Sequence, residues 1–162
     1  MAGRSQGLRL DPTSVQPVLQ EPVQLCRRDR LGIPLEIANA VPWLAKRASA
    51  EVFALAVLEE VGKITLRSWE VYGPAVLTEH QRLIDSSDFE SLRLLDDKYR
   101  RVQIPKDARI TLTLSHILHL GLPTDLDTYV YVALVGESIQ VFSAGFRDRQ
   151  LSRAPAMFPE LP

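Results

Sequence analysis

The apolar and polar positions of residues 23–73 follow an order that predicts a strand, a helix and a hairpin. The segment VQLCRRDR is typical of a short basic strand, and Pro34 can occupy the first turn of the helix that follows it. That helix is amphipathic, with Ile37, Ala40 and Val41 on its apolar side. Two apolar segments, EVFALAVLEE and GKITLRSW, then meet at a turn around Gly62, which predicts a hairpin.

Residues 99–146 repeat this order of elements. The alternation in RITLT predicts a strand, LSHILHL keeps helical spacing, and Gly121 marks the end of that helix. Two further strands, TYVYVALVG and SIQVFS, are joined at Gly136. We therefore expect the same small unit to occur twice, with each copy burying its strands against the other.

A single offset, the one that places Arg30 on Arg109, aligns the two copies. Few identities survive, but the order of apolar positions does. The same offset pairs Val41-Pro42-Trp43 with Leu120-Gly121-Leu122, and Phe53-Ala54-Leu55-Ala56 with Val132-Ala133-Leu134-Val135 without a gap.

Residues 74–98, between the two copies, predict a pair of short helices in an αα-hairpin. Pro74 stands at the expected N-terminus of the first helix, PAVLTEHQRLI. The second helix, DFESLRLLDDKYRR, has Ser87 or Asp88 as its N-cap and Glu90 in place for a capping box.

Length and composition fit one ordinary domain or two very small ones, since 46% of the 162 residues are hydrophobic. Residues 1–22 are expected to form a flexible N-terminal arm, and residues 147–162 a C-terminal tail. The single Cys26 excludes an intrachain disulfide and a cysteine-based zinc site. The first residues lack the apolar core of a signal peptide, and the longest apolar run, residues 52–58, is too short to span a bilayer. We expect a soluble cytoplasmic protein that makes no membrane contact.

The repeated unit, a strand with an Arg, an apolar triplet, a short helix and a hairpin, resembles the swapped-hairpin module of AbrB-like transition-state regulators. Two such modules separated by two helices resemble the MraZ family of bacterial transcriptional regulators, over about residues 23–146. The resemblance implies an α+β fold in which the modules, residues 23–73 and 99–146, interleave into a β-barrel flanked by the helical hairpin of residues 74–98. It also implies homo-oligomeric rings and strand arginines that face DNA.

The family's Asp-x-x-x-Arg motif carries over to this sequence through its Arg, which corresponds to Arg30 and Arg109. The motif Asp is missing from both copies, because Cys26 and Pro105 stand at its positions. A second register, Asp97-Lys98-Tyr99-Arg100-Arg101, satisfies the motif by letter. It would force RITLT into a helix against the β-propensity of its residues, so we expect Arg109 to be the mate of Arg30.

The formal net charge of −1 requires any nucleic-acid surface to be a local patch. Guanidinium groups on a two-stranded surface can reach phosphates and the O6 and N7 of guanine, although basic residues also protect exposed strand edges from aggregation. We expect an oligomeric, DNA-binding transcriptional regulator associated with the bacterial nucleoid. The alternative is a scaffold or antitoxin-like interaction module that has lost the DNA site. The predicted DNA-binding residues are Arg27, Arg28, Arg30, Arg100, Arg101, Lys106 and Arg109.

Other residues with reactive side chains are expected to be structural. His116 and His119 have a spacing that could hold a metal, but no third ligand is evident, so we expect no metal site. Cys26 is expected to be a small strand residue, and Trp43 and Trp69 to pack the ends of the core. The sequence has no Gly-rich phosphate loop, nucleophile elbow or matched acid and base. We therefore expect no enzyme, no cofactor and no small-molecule substrate.

Overall fold

A computed structural model describes residues 20–25, 30–123 and 128–157. The described chain is mixed α+β, as the sequence predicts, with two antiparallel sheets. The strands are β1 (Gln20–Leu25), β2 (Arg30–Gly32), β3 (Val52–Val57), β4 (Lys63–Ser68), β5 (Tyr99–Ile104), β6 (Arg109–Thr111), β7 (Thr128–Val135) and β8 (Ser138–Ser143). The helices are α1 (Leu35–Ala40), α2 (Pro42–Ala45), α3 (Trp69–Asp85), α4 (Phe89–Lys98), α5 (Leu114–Leu120) and α6 (Ala144–Met157), with a 3-10 turn at Lys46–Ala48.

The strands of the two units interleave in both sheets. The larger sheet has the order β1-β7-β8-β4-β3-β5, so the first strand of each unit pairs with the hairpin of the other unit. The smaller sheet joins β2 to β6. Because β1 and β5 are the two edges of the larger sheet, the described strands close no barrel. Neither unit could build this sheet alone.

Strand pairing gives the repeat an approximate two-fold relationship. The offset that places Arg30 on Arg109 also places β1 on β5 and β2 on β6, end to end. The offset is different in the hairpins: Leu25 pairs with Thr128, and its repeat mate Ile104 pairs with Val52. Val52 and Thr128 are therefore equivalent, and the gap-free alignment predicted for β3 and β7 is wrong by three positions.

The corrected alignment explains which side chains are buried. It matches Ala54 with Val130 and Ala56 with Val132, and all four side chains are buried in the main core. Both units contribute apolar side chains to this core, and burial of a Val, Leu or Ile side chain contributes about 1.5–3 kcal/mol relative to exposure. Further large residues of this core are Leu31, Ile37, Leu44, Ile64, Leu66, Ile110, Leu120 and Ile139.

The first helix of the linking hairpin begins earlier than its sequence predicts. α3 starts at Trp69, capped by the Ser68 hydroxyl, which accepts a hydrogen bond from Val71 N at 3.4 Å. Pro74 therefore lies inside the helix and not at its N-terminus. Because Pro74 has no N–H to bond the carbonyl four residues earlier, α3 lacks one backbone hydrogen bond in its second turn. The preceding Gly73 lies against the Trp69 ring, and a Cβ added there would be 2.4 Å from Cδ2.

The ends of α4 and α5 follow the predicted capping. Asp88 caps α4 by accepting from Ser91 N at 3.2 Å. Glu90 lies two residues after this cap, so the predicted capping box does not form there. Gly121 ends α5 in the left-handed region, with φ 75°, as predicted.

The predicted C-terminal tail, residues 147–162, is helical as far as Met157. It belongs to α6, which begins directly after β8. The Ser143 hydroxyl accepts from Phe146 N at 3.1 Å, and the Phe146 ring lies 5.7 Å from that of Phe142. Of the arm predicted at residues 1–22, residues 1–19 lie outside the described residues, and residues 20–22 belong to β1. Within the described ranges, no helix has the length and apolar character needed to cross a membrane.

Candidate nucleic-acid interface

The two arginines predicted to be equivalent lie on one face of the β2–β6 ladder. Arg30 pairs with Thr111 and Gly32 with Arg109, while the central pair, Leu31 and Ile110, is buried. Since successive side chains of a strand point to opposite faces, the outer face carries both guanidinium groups diagonally across the ladder. This pairing supports Arg109, and not Arg101, as the mate of Arg30.

Gly32 lies beside the Arg109 side chain, and a Cβ there would make an ordinary contact with it. The Cγ of Arg109 lies 3.8 Å from the position that a Cβ on Gly32 would occupy. A long side chain at position 32 would compete with Arg109 for the outer face. The ladder therefore presents two arginines, a glycine and a threonine, all small or basic.

A cleft of about 480 Å³ joins this ladder to the edge strand β5. Four arginines line it, and none of the ion pairs formed among the described residues involves them. Asp107, two residues before Arg109, accepts a hydrogen bond from the backbone N–H of Arg109 at 3.0 Å, and Asp29, which precedes Arg30, lies outside the described residues. The cleft is consequently a local positive patch on a chain of nearly balanced charge. Its lining residues are Arg30, Arg100, Arg101, Val102, Gln103, Pro105, Arg109, Thr111, Thr113 and His116.

Arg100 is the half-buried arginine of the cleft. It shares the inward face of β5 with Val102 and Ile104, but it lies at the start of the strand, next to α5. Its Nη2 donates to the Ser115 hydroxyl at 3.4 Å, and its buried Nε has no hydrogen-bond partner within the described structure. Arg100 is thus held at one point and still has an unused donor.

His116 is buried beside Arg100. Thr113 and His116 form a reciprocal capping box at the start of α5: the Thr113 hydroxyl accepts from His116 N at 3.2 Å, and His116 Nδ1 accepts from Thr113 N at 3.1 Å. Burial lowers the pKa of His116 to about 4, and the charges of Arg100 and His119 add to this effect. The ring is therefore neutral at pH 7, with its proton on Nε2, a buried atom that lacks a partner among the described residues.

Arg101 points to the other face of β5, where aromatic rings hold it. Its guanidinium carbon lies 3.8 Å from the centre of the Phe53 ring and 5.3 Å from that of Trp69. Stacking of this kind fixes a guanidinium and leaves its N–H groups free to donate. Next to it, Gln103 Nε2 donates to Glu51 at 3.0 Å.

Lys106, one of the predicted DNA-binding residues, does not belong to this cleft. Lys106 is exposed, and its backbone carbonyl accepts from Arg47 Nε at 3.0 Å, but its side chain does not line the cleft. Arg27 and Arg28 lie outside the described residues.

The histidines and tryptophans have other contacts. His119 Nε2 lies 2.7 Å from the Glu60 carbonyl and 3.0 Å from that of Lys63, so it braces the first hairpin turn. No cluster suited to a metal ion occurs in the described ranges. Trp43 is buried as predicted, and its indole N–H donates to the Glu137 carbonyl at 2.6 Å; Trp69 is half-buried. Cys26 lies outside the described residues.

Sequence reasoning did not predict the group formed by Arg100, Ser115 and His116. One signal was available, since Arg100 keeps the two-residue spacing of the inward positions Val102 and Ile104. A charged residue on an inward position indicates a site where charge is needed.

Comparison with models of known protein families and with curated proteins finds no match for this chain.

Proposed function

We propose that this protein is a DNA-binding transcriptional regulator similar to the MraZ family, built from two AbrB-like swapped-hairpin modules. The observation that supports this most is the placement of Arg30 and Arg109 at repeat-related positions on one exposed ladder. Both open into a cleft with two more arginines and without an acidic partner among the described residues. Such a surface suits the closely spaced negative charges of a nucleic-acid backbone.

In this proposal the arginines have two roles. Guanidinium groups on phosphates position the protein without regard to sequence, whereas bidentate contacts to guanine O6 and N7 select the base. Arg30 and Arg109 lie on the outermost face of the ladder and are the candidates for base contacts. Arg100 is half-buried and better placed for a phosphate.

Oligomerisation would multiply this surface. In the proposal, the interleaved modules form the barrel core of an AbrB-like fold, and copies of the chain bind repeated half-sites on DNA. The site of action would be the nucleoid in the bacterial cytoplasm.

A second candidate function, an interaction module without DNA binding, is favoured by the linking helical hairpin. Large apolar side chains of α3 and α4 are exposed on it, including Leu77, Ile84, Phe89 and Leu94. α4 has no buried residue at all. Exposed apolar residues in such numbers are typical of a surface that binds another protein.

An electrophoretic mobility assay separates the two candidates. The unmodified protein is titrated, at low and at physiological salt, against the DNA upstream of its own gene and against a shuffled sequence of equal composition. The regulator predicts a retarded complex on both sequences at low salt, and preference for the upstream DNA at higher salt. Absence of any complex at low salt would favour the interaction module.

A further inference from the structure

The polar cluster formed by Arg100 of β5 and by Ser115 and His116 of α5 has no counterpart of the same chemistry in the first unit. Under the offset that relates β1 to β5, the repeat mates of Arg100, Ser115 and His116 are Glu21, Glu36 and Ile37. By sequence, the first unit has two carboxylates and an apolar residue where the second has a guanidinium, a hydroxyl and an imidazole. Since the fold forms in the first unit without these groups, the fold does not require them in the second.

Two donors in this group are buried without an acceptor in the described structure. Arg100 Nε carries a proton permanently, and His116 Nε2 carries one because Nδ1 already accepts from Thr113 N. Buried donors are nearly always paired in native proteins. What both positions lack is an acceptor, and the positive charge of the cleft favours an anionic one.

The remaining lining of the cleft narrows the class of anion. Arg30 and Arg109 add two guanidinium groups, and Thr111 and Thr113 add two hydroxyl donors. A carboxylate has two oxygens and one charge, too few for this number of donors. A phosphate has more acceptor oxygens, and guanidinium groups bind it bidentately. The cleft, at about 480 Å³, has room for a phosphate together with the sugar it esterifies.

We propose that the cleft is a phosphate-binding site centred on β5 and α5 of the second unit, in which Arg100 and His116 donate to a phosphate oxygen through the two atoms that have no partner in the described structure. The phosphate is either that of a DNA backbone or that of a free phosphorylated molecule. Only the first source rests on the proposed function. With DNA as the source, the contact made by Arg100 and His116 has no counterpart of the same chemistry in the sequence of the first unit, so the two modules of a chain contact DNA unequally.

The test measures binding of two probes to the full chain by NMR and by fluorescence titration. The probes are inorganic phosphate, at constant ionic strength, and a duplex carrying the upstream DNA. The variants are Arg100→Gln and Arg100→Lys, and the matched control is Arg93→Gln, an exposed arginine of α4 outside the cleft. Circular dichroism confirms that each variant is folded.

The proposal predicts saturable shifts of the Arg100 Nε–H and His116 Nε2–H resonances with phosphate. Arg100→Gln should weaken phosphate binding at least tenfold, Arg100→Lys severalfold because lysine cannot place a donor at the Nε position, and Arg93→Gln should not change it. If DNA gives the same shifts, the backbone is the source. If phosphate binds and DNA does not, the site stands and the proposed regulator fails.

Other results would overturn the site. These are the absence of a saturable shift with either probe, or an equal loss for Arg93→Gln, which would indicate charge screening alone. DNA binding that is unaffected by Arg100→Gln, with no phosphate binding, would leave the regulator in place and remove this pocket. A change of oligomeric state in Arg100→Gln without any effect on phosphate would instead assign the group to an interface between copies.

Discussion

Leu31 and Ile110 face each other at the centre of the β2–β6 ladder, and both are almost completely buried, with 0% and 1% of their surface exposed. They occupy equivalent positions of the two units, so the approximate two-fold axis passes between them. Because each contributes to a core made by both units, the two halves of the chain should fold as one.

Replacement of either residue by alanine tests this shared core. Leu31→Ala and Ile110→Ala should each lower the free energy of unfolding by about 2–5 kcal/mol, through lost apolar contact and the cavity left behind. Denaturant unfolding followed by fluorescence and by circular dichroism should give one coincident transition for each variant. Leu118→Ala, at an exposed position of α5, is the control and should change little. Two separate transitions, each sensitive to only one substitution, would contradict a shared core.

His116 predicts a pH dependence of stability. Its folded pKa of about 4 lies below the ordinary value of 6.5, so the unfolded chain takes up a proton first as the pH falls. Its contribution to stability is therefore complete above pH 6.5, is lost as the pH falls towards 4, and reaches about 3 kcal/mol at most. His116→Asn retains an acceptor for Thr113 N but does not titrate. The difference between the wild-type and variant unfolding free energies, measured from pH 7 to pH 4, should show this loss, and parallel profiles would show that His116 does not cause it.

Replacement of Gly121 by any residue with a Cβ should destabilise the fold through the backbone conformation alone. A Cβ at this position would meet no atom within 4 Å, but φ is 75°, where β-branched residues are strained. Gly121→Val should lower the free energy of unfolding by about 1 kcal/mol or more. Thermal denaturation measures the change. An unaltered melting temperature would mean that α5 does not end there in a left-handed residue.

The exposed apolar residues of the linking hairpin predict self-association. Leu77 and Ile84 lie two helical turns apart on one face of α3, and are 56% and 40% exposed. Light scattering at micromolar concentration should therefore give a mass well above 18.2 kDa, and Leu77→Glu with Ile84→Glu should lower it. A wild-type protein that remains a monomer under these conditions would contradict the oligomer.

Several elements were readable from the sequence because local signals agree with the final packing. The alternation in RITLT and the glycine at position 121 predicted β6 and the end of α5. Arg109 was identified as the mate of Arg30 for the same reason, because β-branched residues oppose the helical alternative. These features depend on neighbours a few residues away.

Other features depend on contacts that are distant in sequence. The change of offset between β3 and β7 follows from cross-unit pairing and leaves no local trace. The hydrogen bond from Arg100 to Ser115 depends on α5 lying beside β5, and no spacing along the chain reveals that neighbourhood.

The central claim is that Arg30 and Arg109 are equivalent residues of one DNA-binding face. The most direct measurement is the affinity of Arg30→Ala, Arg109→Ala and the control Arg93→Ala for the upstream DNA and for a shuffled duplex, by fluorescence anisotropy at several salt concentrations. We expect Arg30→Ala and Arg109→Ala each to lose about 1–3 kcal/mol of binding free energy on the upstream DNA, with loss of preference between the duplexes if the arginine contacts a base. A phosphate contact would instead weaken both duplexes alike and reduce the salt slope by about one. If both variants bind as the Arg93→Ala control does at every salt concentration, the ladder does not bind DNA and the claim is wrong.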